Sequence, residues 1–125
     1  MEIWDFFEAR DATLAARSAA WDDEPYPYSA EANSKDLRGM VYGRIAVSDD
    51  SFLSVHEMIE IDGGEATRRK YAYYLMSGGA PLWGEERDPN LETAVHRQDA
   101  DGTRVASEPI SFEDALTRAM ATRAE

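Results

Sequence analysis

Between Leu37 and Met76 three runs of alternating side chains are separated by only two short polar turns, and that spacing permits few folds. In the first run Leu37, Gly39, Val41, Gly43, Ile45 and Val47 alternate with Arg38, Met40, Tyr42, Arg44 and Ala46. A period of two is the mark of a strand with one buried face and one wet face. Ser48-Asp49-Asp50-Ser51 supplies side chains that bond their own backbone in turns. The second run, Phe52 to Ile61, places Leu53, Val55, Ile59 and Ile61 on one face. Asp62-Gly63-Gly64-Glu65 offers glycines for positive φ, and Thr67 to Met76 follows with Tyr71, Tyr73, Tyr74 and Leu75. Links this short force antiparallel neighbours, because a parallel return needs a dozen or more residues. The expected centre of the fold is a meander.

Glu57 breaks the apolar face of the second run. A carboxylate there needs a donor or an upward pKa shift. Two readings stay open: a structural partner to a Tyr hydroxyl or an Arg (or a bulge that turns it outward), and a site residue in a cleft against the sheet. Alternation puts the adjacent His56 on the opposite face.

The flanks complete an α+β architecture. Residues 3 to 20 read as a helix, with Asp5 and Glu8 resembling a capping pattern and Ile3, Phe7 and Leu14 on a narrow apolar stripe beside Trp4. Trp4 and Phe6 also suit a partner-binding anchor. From Trp21 to Asp36, an acidic run and Pro25-Tyr26-Pro27-Tyr28 argue for a loop. Short strands are expected at Leu82 to Glu86, Leu91 to Arg97 and Thr103 to Ser107, the last two joined by a turn containing Asp101-Gly102. Ser111 begins a second helix, whose face carries Phe112, Ala115, Leu116, Ala119 and Met120. The expectation is one domain over 1–125: an N-terminal helix and acidic Pro/Tyr loop at 1–36, an antiparallel sheet of about five to six strands at 37–108, and a packed helix at 110–123.

Composition narrows the function classes. The chain of 125 residues has no cysteine, which excludes disulfides and thiolate metal sites, and a reducing compartment is the natural expectation. No stretch resembles a membrane span, and the acidic start MEIWDFFEAR is unlike a signal peptide, so a cytoplasmic protein is expected. A net charge of −12 opposes unspecific binding to nucleic acid or anionic membrane. With 11 Arg, 2 Lys, 19 Ala and 25 acidic residues, the balance suits concentrated salt and suggests a halophile, or else a GC-rich bacterium. In such salt the charge argument against RNA weakens, since the Debye length is about 3 Å at 1 M.

Dinucleotide, P-loop, nucleophile-elbow and HExxH signatures are absent, and two histidines are too few to specify a metal, so no cofactor or metal is expected. The candidate site residues are Glu57, Tyr71, Tyr73, Arg87, Asp88 and His96, all on or just beyond the sheet. Arg68-Arg69-Lys70 is the one basic run, and as an RNA contact it needs help from Arg38, Arg44 or Arg104. In this order, SFLSVHEMIEI with its late Glu, RRKYAYYL with Tyr-x-Tyr, an Arg/Asp pair, a His and a terminal helix, the chain resembles the TumE-like toxin family over about residues 37–120. Glu57, Tyr71 and Tyr73 match that pattern. The segment EERDPNLETAVHR departs from it, with Arg87 and Asp88 adjacent and His96 alone where the family has several histidines. If those histidines do the family's chemistry, the departure implies an altered or inactive member.

The resemblance implies a toxin restrained by a cognate antitoxin. An RNA-directed action suits that role, with His96 as acid or base, Arg87 on phosphate and Glu57 orienting one of them within a shared pocket. Against it stands a non-catalytic interaction module or homodimer that uses Trp4, Tyr26, Tyr28 and Trp83. A small-ligand enzyme with a carboxylate in a pocket on the sheet is the third reading.

Overall fold

Each alternating run becomes a long strand in the computed structural model, which describes residues 1–31, 37–91 and 94–122. Helix α1 (Ile3–Ala16) is followed by β1 (Tyr28–Ala30), β2 (Arg38–Ser48), β3 (Ser51–Asp62), β4 (Glu65–Ser77), β5 (Ala80–Arg87), β6 (Val95–Asp99), β7 (Arg104–Ala106) and helix α2 (Phe112–Ala121). The strands pair in sequence order as one seven-stranded antiparallel sheet. Gly63-Gly64 and Gly78-Gly79 all have positive φ, between 59° and 84°, as tight hairpin turns of the favoured hand require.

Seven strands exceed the expected five to six. The addition is β1, which comes from the segment read as a loop: beyond Pro27 the backbone is extended, and Tyr28 pairs with Val41 and Ala30 with Gly39. Three proline-free residues suffice to extend an edge, and alternation is too short there to announce it. Helix α1 also ends earlier than residue 20, at Ala16, and Ser18 follows with a φ of 54°. Its N-cap is Glu2, whose backbone N–H donates to Asp5 Oδ2 at 2.7 Å. Of the sequence expectations, the strand start at 91–93, the loop's end at 32–36 and the last turn of the second helix at 123 fall wholly or partly outside the described residues.

Both helices lie on one face of the sheet. Ile3, Phe7 and Leu14 of α1, and Phe112, Ala115, Leu116 and Ala119 of α2, join Val41, Ile45, Leu53, Val55, Ile59, Tyr71, Tyr73 and Leu75 in a single core. Close approach of α1 depends on Gly39, where an added Cβ would lie 2.5 Å from Ile3 Cγ1. The other face carries Arg38, Met40, Tyr42 and Arg44 of β2, Phe52, Ser54, His56 and Met58 of β3, Lys70, Ala72, Tyr74 and Met76 of β4, and Glu86 and His96 beyond. Met40, Tyr42 and Met58 are exposed, and no described helix packs over them. That uncovered face decides where function is sought.

One carboxylate under α2 is poorly compensated. Glu85 is 7% exposed and its Oε1 is 3.9 Å from Arg118 Nη1, while its Oε2 has no hydrogen-bond partner. Burial pushes its carboxyl above the ordinary value, against the opposing charges of Arg118, Arg97 and His96. A raised folded-state value favours the neutral form, so the penalty for ionisation is complete above that value and fades as pH falls towards 4.5. Glu85→Gln is therefore expected to melt above the native chain at neutral pH, with the difference shrinking on acidification. Thermal melts at both pH values check this, and a variant less stable at every pH would contradict it.

Candidate functional site

The expected site residues divide between the two faces of the sheet. Glu57, Tyr71 and Tyr73 do come together, on the helix-covered side. Glu57 is fully buried, and Arg10 holds it with two parallel bonds, Nε to Oε1 at 2.9 Å and Nη2 to Oε2 at 2.8 Å. The Tyr73 hydroxyl donates to the same Oε2 at 2.6 Å and itself accepts from Arg68 Nη1 at 2.7 Å. Arg10 lies between the rings of Phe6 and Phe112, at 4.3 and 4.5 Å from their centroids. Burial alone would lower the Arg10 pKa, but the bonds and charge of Glu57 outweigh it and hold the guanidinium charged. Burial, then the Glu57 charge, pushes the Tyr73 hydroxyl above its usual range.

Tyr71 stacks on Tyr73 at 5.1 Å and accepts the Ile110 backbone N–H at 3.1 Å, tying the segment before α2 to the sheet. Arg68 reaches this side because a bulge opposite Met58 and Ile59 makes Arg69 the extra residue. Arg68 then packs 4.4 Å over the Tyr71 ring. Both Glu57 oxygens are bonded, under a helix, to groups that pin α1 to the sheet. The structural reading of Glu57 is the one this geometry fits. The sequence carries a trace of this partner, since Arg10 follows the 3.6-residue period of Ile3, Phe7 and Leu14 and stands in the apolar stripe as Glu57 stands in the apolar strand face, but their meeting is set by where α1 lands on the sheet.

His96 lies on the other side. Pairing runs Tyr42–His56–Ala72–Glu86–His96–Ala106 across six strands, one row on the uncovered face. The expected pocket shared by His96, Glu57, Tyr71 and Tyr73 is thus corrected, because residues in adjacent register positions of the sheet point to opposite faces. Within this row His96 Nε2 is 3.3 Å from Glu86 Oε2, and the Tyr74 hydroxyl donates to that same oxygen at 2.7 Å. Tyr74 crosses to Glu86 over Gly84, where an added Cβ would sit 2.2 Å from the ring. Gly84→Ala is accordingly expected to lose about 1–3 kcal/mol from this wedge. A urea titration checks the loss, and an unchanged midpoint would show that the ring moves freely.

Partial burial pushes the Tyr74 hydroxyl up to about 12, helped by its bond to Glu86. Burial and the Lys70 charge lower the His56 pKa, with Glu86 acting in the other direction. Lys70 Nζ is 3.4 Å from Asp88 Oδ2, and the Asn90 backbone N–H, then Lys70, hold the Asp88 carboxyl below its usual value. Arg87 pairs with Tyr71 and Val95, so it belongs by register to the helix side, at an exposed end of β5. Adjacent in sequence, Arg87 and Asp88 diverge in space. Of the aromatic residues considered as anchors, Trp4 and Tyr26 are exposed whereas Tyr28 and Trp83 are buried.

Tyr74, Glu86 and His56 are the residues that the sequence reading left out of the site, whereas Lys70 and Arg104 were weighed only as RNA contacts. Alternation carried the signal: even-numbered positions of β2 and β3 were wet, and register transmits that parity to each later strand. Beside a hollow of about 560 Å³ at the β1 edge, lined in part by Arg38, Met40, Met58, Glu60 and Arg69, two smaller ones lie nearer His96. One of about 280 Å³ is lined by Tyr42, Arg44, Phe52, Ser54, Tyr74 and Met76, and one of about 220 Å³ by Leu91, His96, Arg104 and Ala106. Arg38, Arg44, Arg69, Lys70 and Arg104 bring five cations to this side, where Glu60, Asp62, Glu65, Glu86 and Asp88 also lie, with Glu31 4.0 Å from Arg38 at the edge. A chain of net charge −12 therefore keeps its acidic excess elsewhere.

Among the described residues, no helix is long and apolar enough to cross a membrane, and no group of three or more His, Cys, Asp or Glu is placed to hold a metal ion. No protein-family model matches the chain, and no curated protein and no solved structure matches it either.

Proposed function

We propose that this chain is a toxin component, similar to TumE-like proteins, that acts on RNA through the uncovered sheet face. The observation that carries the reading is the gathering of Arg44, Lys70 and Arg104 around the Tyr74–Glu86–His96 group, in a chain whose net charge otherwise repels phosphate. The imidazole of His96 accepts the proton of a ribose 2′-hydroxyl, whose oxygen then attacks the adjacent phosphorus. The bond from phosphorus to the 5′-oxygen breaks, that oxygen takes a proton from water, and a 2′,3′-cyclic phosphate remains. Glu86 fixes the ring and balances its positive charge, while Arg104 sits by the phosphate. Glu57 has no part in the reaction on this reading. A cytoplasmic RNA target and a cognate antitoxin that shields the face complete it, and the acidic remainder of the surface suits a cell with concentrated internal salt.

Expression without the antitoxin is expected to arrest growth, and His96→Ala to relieve the arrest. Uninhibited growth with the intact protein present at high level would overturn the proposal. A second reading has its own observation: Met40, Tyr42, Met58 and Leu82 are 36–56% exposed on this side, as a protein-interaction face or homodimer contact would require. Sedimentation at several concentrations separates the two, since a strict monomer that cuts RNA removes the second.

A further inference from the structure

We infer that the hollow over β2, β3 and β4 is a nucleobase subsite, which holds an unpaired base of a single-stranded RNA beside the His96 group. This rests on the RNA-directed reading above and adds where the strand is gripped. The hollow, about 280 Å³, is walled by flat groups. Tyr42 is 56% exposed, and its ring stands perpendicular to that of His56 with centroids 5.5 Å apart. The Arg44 guanidinium lies 4.8 Å from the Phe52 centroid, so a planar cation is held against an aromatic wall. Bases stack on such surfaces whatever their sequence, and the cation adds attraction to the phosphate that follows. A paired base has its faces already covered, so a duplex cannot enter.

Tyr74 links this hollow to the reaction group. Its ring lines the hollow, and its hydroxyl is bonded to Glu86, 3.3 Å from His96. From β4 to β6 is two strand spacings, about 10 Å, a distance that a short extended stretch of RNA covers. Charge also argues against a second copy of the chain as occupant. A two-fold axis through the hollow would set Arg44 of one molecule beside Arg44 of the other, and the residues that line the hollow include no carboxylate to offset them.

The test is fluorescence anisotropy with labelled oligouridine, a duplex RNA of equal charge and heparin, on the native chain, Tyr42→Ala and Phe52→Ala. Each substitution is expected to weaken oligouridine binding about 5- to 100-fold and to leave duplex and heparin binding unchanged. Melting curves identify any variant that has lost its fold, and exposed Tyr42 supplies the arm least sensitive to that. Equal weakening on all three ligands, or none, overturns the subsite. If the native chain cuts RNA and arrests growth while both variants bind oligouridine normally, the subsite alone is wrong. If the native chain neither binds RNA nor arrests growth, the RNA reading falls and takes the subsite with it. A dimer that Tyr42→Ala dissolves and oligouridine does not would assign the face to a second copy and overturn the inference.

Discussion

Arg10→Ala is expected to remove about 3–5 kcal/mol of stability, because it strands the fully buried Glu57 carboxylate without its counter-charge. The loss has two sources. Two charge-assisted bonds vanish, and the gap between Phe6 and Phe112 opens where the guanidinium had stacked. For a chain of this size the melting temperature should fall by roughly 10–20 °C. Arg10→Lys should recover only part of the difference, since an ammonium cannot present two parallel donors or stack as a plane. Replacing both members, Arg10→Met with Glu57→Leu, should be much milder than Arg10→Ala alone, because no unpaired charge is then left behind. Urea titrations of the four proteins form the measurement. A loss below about 1 kcal/mol for Arg10→Ala would mean that water reaches Glu57 and the pair is not a clamp.

The largest functional effect is expected at His96. His96→Ala should slow cleavage of a labelled RNA by about 10²–10⁴-fold in single-turnover assays, the range for loss of a positioned acid–base group. His96 is itself 2% exposed, so some stability is lost with it, and rates must be expressed per folded molecule. Two milder substitutions guard the conclusion. Glu86→Gln removes the charge beside His96 and should slow the reaction with the fold retained. Tyr74→Phe deletes the hydroxyl that donates to Glu86 at 2.7 Å and should act in the same direction, less strongly. Glu57→Gln makes the decisive contrast: it should lower stability and leave the rate of folded protein unchanged. If Glu57→Gln abolished cleavage while His96→Ala did not, the reacting face would be the helix-covered one, and the assignment proposed here would be reversed.

Much of the frame was legible because local rules agree with each other along this chain. Alternation from 37 to 76, a Ser/Asp turn and a glycine-pair turn, and links too short for a parallel return left only an antiparallel meander. The i, i+3, i+4 face of α2 predicted its buried residues Phe112, Ala115, Leu116 and Ala119. Strand β1 was not legible, since three residues give no period and their pairing with β2 is a contact between segments about ten residues apart.

The site shows the sharper limit. Sequence by itself determined that Glu57 and His56 face opposite ways, that the sheet has a dry and a wet side, and that a carboxylate in the dry side needs a donor. It could not say which donor. Periodicity is a property of one segment, whereas the meeting of Arg10 with Glu57, 47 positions apart, is decided by where α1 lands on the sheet. Likewise, parity placed His56 on the wet side, but only the register of three strand pairs in succession put Glu86 and His96 in its row. Every bulge resets that count by one, and bulges are set by tertiary packing. The tertiary structure therefore decided which polar residues are clamps and which share the face that no described helix covers.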